Sequence, residues 1–166
     1  MEKPEIKLRQ WQKDLLKFIE KGPIKRQILW VWSKESGTGK STFQDYVFAE
    51  YGERVIRGEW TWKDFLHVYN NEDIIIFNIE RDTEMHDTHY NVLEKVSDCT
   101  IHTATKFEGG KKKVAGVVLV FANIPPPHKR LPKRCIEYHI GDKYEVESIL
   151  TDFPEGESSS SESDEE

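Results

Sequence analysis

The stretch Ser33-Lys34-Glu35-Ser36-Gly37-Thr38-Gly39-Lys40-Ser41-Thr42 constrains this chain more than any other. It follows the apolar run Ile28-Leu29-Trp30-Val31-Trp32 and leads into a segment, Ser41 to Tyr51, that reads as a helix. A strand, a glycine-bearing turn and a helix N-terminus together make a phosphate site, because free backbone N–H groups and the positive end of the helix dipole converge on one point. Gly37 and Gly39 permit the tight turn, Lys40 reaches the outer phosphates, and the Ser41 hydroxyl can sit on Mg²⁺, with Thr38 and Thr42 completing the loop. The general pattern has glycine five places before its last glycine, where this chain has Lys34. The stretch is read as a nucleoside-triphosphate loop.

Size and charge bound what surrounds it. A chain of 166 residues buries one ordinary core, so a single domain plus tails is expected. Its formal charge of -6 is concentrated at the end, where Glu155, Glu157, Glu162, Asp164, Glu165 and Glu166 sit together. Without those six, the body carries as many acids as its 24 lysines and arginines, so attraction to nucleic acid has to come from local clusters. Cys99 and Cys135 are too few for a disulfide framework and lack partners at metal-ligand spacing, which suits a reducing compartment. No run approaches the roughly 18 apolar residues that read as a membrane span, and the charged N-terminus is no signal peptide.

Along the chain, Leu8, Trp11, Leu15 and Ile19 recur at helical spacing from Lys7 to Lys21, and Gly22-Pro23 stops the pattern. Trp11 is expected in the core rather than against a nucleobase. Arg54-Val55-Ile56 reads as a short strand and Trp60 to Tyr69 as a helix. Ile74-Ile75-Ile76-Phe77 is apolar throughout, as strands buried on both faces of a parallel sheet are, and it ends in Asn78. A phosphate-loop enzyme places an acid there to hold Mg²⁺ or its water. Asparagine brings no charge, so Glu80 and Asp82 are the nearest carboxylates for the role of base or ligand. His86 to Val96 reads as a helix whose His86 and His89 are solvated rather than metal-bound. Thr100 to Phe107 alternates as a strand does, Glu108-Gly109-Gly110 turns, and Lys111-Lys112-Lys113 follows, giving a hairpin with a basic tip. It returns into Val117 to Asn123, a second buried strand ending in an amide at the edge where open α/β sheets bind ligands. A strand from Ile136 to Ile140 closes the body.

The order Trp11-Gln12-Lys13, Trp30-Val31-Trp32, Gly37-Thr38-Gly39-Lys40-Ser41, Ile76-Phe77-Asn78-Ile79-Glu80-Arg81, Lys106-Phe107-Glu108 and Val120-Phe121-Ala122-Asn123-Ile124-Pro125 resembles the superfamily 3 helicase domain of replication-initiator (Rep) proteins. These belong to circular single-stranded DNA viruses, such as circoviruses and nanoviruses, and to related plasmids. The resemblance covers about residues 8 to 142. It implies an α/β phosphate-loop ATPase core, AAA+-like, with a central mostly parallel sheet flanked by helices. Residues 1–142 would form this domain, 143–153 a short C-terminal helix, and 154–166 a disordered acidic, serine-rich tail.

By the same resemblance, Lys40 and Ser41 take the Walker A roles, and Asn78 falls where many relatives carry the Walker B aspartate, with Glu80 two residues on. Lys106 matches a lysine that such helicases use on DNA, and Lys111, Lys112 and Lys113 would join it. Asn123 matches the asparagine that senses the γ-phosphate and orients the attacking water. Arg134 stands where relatives often have an arginine that reaches a neighbouring subunit. The implied activity is ATP hydrolysis with Mg²⁺, coupled to movement on single-stranded DNA by a homo-hexameric ring, in the host nucleus if viral and otherwise in the cytoplasm, not secreted. A Rep endonuclease domain or host replication proteins are the further partners expected. The alternative is a module that binds nucleotide and oligomerises without efficient hydrolysis, which the uncharged Asn78 favours.

Overall fold

The structure is a computed structural model that describes residues 7–35, 37–98, 101–103, 111–141 and 149–150. Its centre is a six-stranded sheet in the order β2-β3-β6-β1-β7-β8. These strands are β1 (Ile28–Trp32), β2 (Val55–Arg57), β3 (Ile74–Asn78), β6 (Val117–Ala122), β7 (Cys135–His139) and β8 (Ile149–Leu150). The first five pair in parallel, and β8 joins β7 antiparallel. The expected α/β class with a mostly parallel sheet is therefore what the chain adopts. Every residue of β1 and β6 is buried, which explains their unbroken apolar runs.

Alternate strand residues face opposite layers. Leu29, Val31, Ile74, Ile76, Leu119 and Phe121 pack with Trp11 and Leu15 of α1 (Gln10–Lys21) and Phe43 and Val47 of α2 (Lys40–Tyr51). Trp30, Trp32, Ile75, Phe77, Val118 and Val120 pack with Phe65 of α3 (Trp62–Val68) and Leu93 and Val96 of α4 (Asp87–Ser97). Trp11 is fully buried and meets Phe43 at 5.6 Å between ring centroids, so it belongs to the core as expected. Helix α1 starts three residues later than its apolar spacing suggests. Arg9 is extended, and its N–H is capped by the Gln12 side chain at 2.7 Å. Helix α3 starts at Trp62 because Thr61 accepts from the Asp64 N–H. His89 Nδ1 accepts from the His86 N–H at 3.0 Å, a capping contact, and no metal-binding group of three or more ligands forms among the described residues.

Two expectations need correction. Within the anticipated helix over 143–153, Ile149–Leu150 are a strand, because Tyr138 and His139 of β7 offer an edge with which they pair. The rest of that segment, and the tail 154–166, lie outside the described residues. The lysine triplet is not the hairpin tip: Lys111–Lys113 are strand β5, paired with β4 (Ile101–Thr103) in the register Ile101↔Lys113, His102↔Lys112, Thr103↔Lys111. The segment between the two strands, with Lys106, lies outside the described residues.

Candidate active site

Parallel pairing brings three strand ends to one edge. Trp32 pairs with Ala122 and Asn78 with Phe121, so the glycine loop after β1, Asn78 of β3 and Asn123 just beyond β6 emerge side by side. They line a cavity of about 370 Å³ together with Gly37, Gly39, Lys40 and Ser41. The loop turns through left-handed backbone at Gly37 (φ 77°) and Gly39 (φ 99°), conformations that L side chains resist. Helix α2 then begins at Lys40, aiming its N-terminus into the cavity.

Lys40 is folded back into the loop. Its Nζ donates to Ser33 Oγ (2.6 Å), Thr38 Oγ1 (3.3 Å) and the Glu35 carbonyl (3.4 Å). Burial, reinforced by the charge of Arg81, lowers its pKa to about 8. Buried Ser33 is the hub of this end, because its carbonyl also accepts from Asn123 Nδ2 at 3.1 Å. Asn78 Oδ1 accepts from Gln44 Nε2 at 3.4 Å, and Gln44 Oε1 in turn accepts from Arg57 Nη1 at 3.1 Å. Arginine can only donate, so this relay fixes which way both amides point.

Of the two carboxylates considered near Asn78, Glu80 lines the cavity and Asp82 does not. Asp82 instead takes left-handed backbone (φ 71°) in a turn where the Thr83 N–H meets the Glu80 carbonyl. Glu80, Asn78, Ser41 and Gln44 also border a second cavity of about 540 Å³ that adds Asp45 and Trp60. Arg9 and Arg81 were not anticipated. Both line the first cavity, so three cations with Lys40 face one carboxylate there. Arg81 Nη2 donates to the Lys34 carbonyl at 3.3 Å, which ties down the turn where the general pattern has glycine.

Arg134 stands just before β7. Its Nη1 donates to Ser97 Oγ (2.9 Å), Asp98 Oδ1 (2.9 Å) and the Glu94 carbonyl (3.3 Å), and its side chain is 16% exposed. A guanidinium spent on the end of α4 ties that helix to the start of β7.

No protein-family model matches the chain. It is 34% identical over 135 residues to Para-Rep C10 of Milk vetch dwarf C10 alphasatellite, which covers 78% of this chain and 47% of that protein. It is 33% identical over 135 residues to Para-Rep C7 of Faba bean necrotic yellows C7 alphasatellite, with the same coverage. Against the Master replication protein of Banana bunchy top virus it is 33% identical over 105 residues, 63% of this chain and 36% of that protein. The chain is a homologue of the Rep proteins of circular single-stranded DNA viruses. This Rep homologue spans about half the length of the Para-Rep relatives it matches.

In the Rep homologue β4 and β5 form a two-stranded sheet separate from the main one. Val114, Ala115 and Gly116 alone separate it from β6, the strand that leads to Asn123. The Ala115 N–H donates to Tyr69 Oη at 3.3 Å, anchoring that joint on the residue after α3. Among the described residues, no helix is long and apolar enough to cross a membrane.

Proposed function

We propose that this Rep homologue is an ATP-hydrolysing motor domain acting on single-stranded DNA, as part of a replication initiator. The observation that carries this reading is the convergence of the glycine loop, Asn78, Glu80 and Asn123 on one cation-rich cavity at the carboxyl edge of a parallel sheet. The loop amides and Lys40 would take the β- and γ-phosphates, and Asn123 would face the terminal phosphate and its attacking water. Glu80 is the carboxylate placed to accept a proton from that water. Ser41 is exposed at the cavity and Asn78 Oδ1 carries only one long hydrogen bond, so both have capacity for Mg²⁺ shared with the nucleotide's oxygens. The ion supplies neutralisation of phosphate charge. Lys111, Lys112 and Lys113, with Lys106, would meet the DNA backbone, repeated around a homo-hexameric ring.

The uncharged Asn78 favours a second reading, a nucleotide-binding and oligomerising accessory with impaired hydrolysis. ATP turnover with and without single-stranded DNA separates the two. The motor reading expects turnover in the parent, none in Lys40→Ala, and loss of DNA stimulation alone when Lys111, Lys112 and Lys113 are all replaced by alanine. Parent turnover no higher than that of Lys40→Ala, with nucleotide still bound, decides for the accessory.

A further inference from the structure

Helix α1 does more at its first turn than pack. Arg9 Nη1 donates to the Thr38 carbonyl at 2.7 Å, and Gln12 Nε2 donates to the Gly39 carbonyl at 3.2 Å. Those carbonyls belong to the two peptide units whose N–H groups are those of Gly39 and Lys40. A trans peptide is planar with C=O and N–H on opposite sides, so holding both carbonyls toward α1 turns both N–H groups the other way. The other way is the cavity that Gly39 and Lys40 line. We infer that Gln12, assisted by Arg9, is a positioning residue that pre-orients the loop amides for a polyphosphate.

The loop needs such help. Gly37 and Gly39 give it left-handed turns but also the largest backbone freedom to lose on ordering. The Gly39 carbonyl already accepts the first bond of α2, from the Phe43 N–H at 2.9 Å, and Gln12 occupies its second lone pair. Gln12 is buried at 2% exposure, and its Oε1 is fixed by the Arg9 N–H at 2.7 Å, so its NH₂ is committed to the loop. Around Gly39 the fit is close. A Cβ there would stand 3.0 Å from Gln12 Nε2, 3.6 Å from Trp11 Cζ2 and 3.7 Å from Arg9 Cζ. The Gln12 carboxamide does not line the cavity and reaches the loop through the Gly39 carbonyl, so its role is distinct from contact with the phosphates by Lys40.

This inference rests on the nucleotide reading, and the test separates the two. Calorimetric affinity for inorganic tripolyphosphate and for ATP with Mg²⁺ is measured on the parent, Lys40→Ala and Gln12→Met, and melting temperature is taken without ligand. Loss of one such bond should weaken tripolyphosphate about five- to tenfold in Gln12→Met. Gln12→Glu keeps the acceptor that caps Arg9 and, when ionised, loses the donor to Gly39; exchange in α4 reports whether its fold is kept. In the ligand-free protein its amide exchange should quicken at Gly39 and Lys40 and stay unchanged in α4. If Gln12→Met lowers the melting temperature but leaves tripolyphosphate affinity at the parent value, Gln12 is only a helix cap. Unchanged exchange at the loop in Gln12→Glu overturns the inference too, and it does so even if Gln12→Met fails to fold. If the parent itself binds neither tripolyphosphate nor ATP, the nucleotide reading falls and takes this one with it.

Discussion

Strands β3 and β6 lie side by side, are apolar and buried along their length, and each leads to an asparagine at the carboxyl edge; the asparagines differ in what holds them. Asn123 donates to a backbone carbonyl, that of Ser33, whose hydroxyl in turn holds Lys40. Asn78 accepts from a side chain, Gln44, which is itself oriented by Arg57 on the edge strand β2. One amide is braced on main chain and coupled to the loop lysine. The other hangs on a relay of side chains that can repack. Position Asn123 should therefore be intolerant of change, whereas Asn78 should be replaceable.

The largest effect expected from this contrast is that of Asn123→Ala. Removing a preorganised polar group at the reacting phosphate should lower kcat about 10²–10³-fold. Nucleotide affinity, measured separately, should move far less, because the loop amides and Lys40 remain. A fall in affinity as large as the fall in kcat would make Asn123 a brace for Ser33 and no more.

Asn78→Asp should act in the opposite direction. The Gln44 donor that now meets an amide oxygen would meet a carboxylate, a charge-assisted and stronger bond, and the cavity's excess of cations would be partly balanced. Turnover at limiting Mg²⁺ should rise about tenfold, in line with one charge-assisted bond of roughly 1.5 kcal/mol. The gain should vanish when Gln44→Met is added, a coupling that a double-mutant cycle reads directly. An additive result would mean that Gln44 does not position residue 78.

Which parts of this site were legible in the sequence follows from how local they are. The strand, glycines, Lys40 and Ser41 are contiguous, and burial on both faces leaves apolar runs at Ile74–Phe77 and Val117–Ala122 that announce parallel strands. The asparagines were legible for the same reason, as the polar residues ending those runs. Arg9 and Gln12 were not, because their bonds to Thr38 and Gly39 span 29 and 27 residues and nothing in a helix's first turn signals a distant carbonyl. The bonds of Arg134 were hidden for the same reason. An arginine before a last strand looks available until α4 is seen to end with Ser97 and Asp98 against it. The hairpin was legible because an alternating stretch precedes Gly109-Gly110 and the triplet follows them, whereas only the register shows all three lysines paired with Ile101–Thr103.

The hairpin sharpens the contrast, since it is continuous in sequence with the strand of Asn123 and not with that of Asn78. Its register also divides the triplet. Positions 111 and 113 pair with 103 and 101, and position 112 between them pairs with 102, so strand alternation separates the outer two from the middle one. A DNA strand lying on one face should feel the two sets unequally. If it lies on the face with two lysines, Lys111→Ala with Lys113→Ala should reduce the salt slope of binding by about two and Lys112→Ala hardly at all. Affinity at low salt should fall about tenfold for the pair, and DNA stimulation of turnover should fall with it. Equal effects of all three single variants would place the lysines in a flexible contact with no defined face.

Neither asparagine titrates, so a proton dependence of nucleotide affinity above neutrality has to come from a cation, and Lys40 is the one whose pKa is lowered to about 8, by burial first and Arg81 second. Its folded-state pKa lies below the ordinary lysine value of 10.5, so the ammonium is charged below about pH 8 and neutral above it. A polyphosphate needs the charged form, and binding should therefore weaken as pH climbs through 8, by about fourfold between pH 7 and 8.5 if only the ammonium binds. Arg81→Gln removes the second cause and should move the midpoint of this decline to higher pH, whatever it does to affinity at pH 7. Asn78→Asp should move the midpoint upward too, by placing a carboxylate in the same cavity, whereas Asn123→Ala adds no charge and should leave it near the parent value. A midpoint that ignores both Arg81→Gln and Asn78→Asp would mean that Lys40 is not the titrating group, and the two strand ends would then differ in bracing alone and not in their electrostatic hold on the loop.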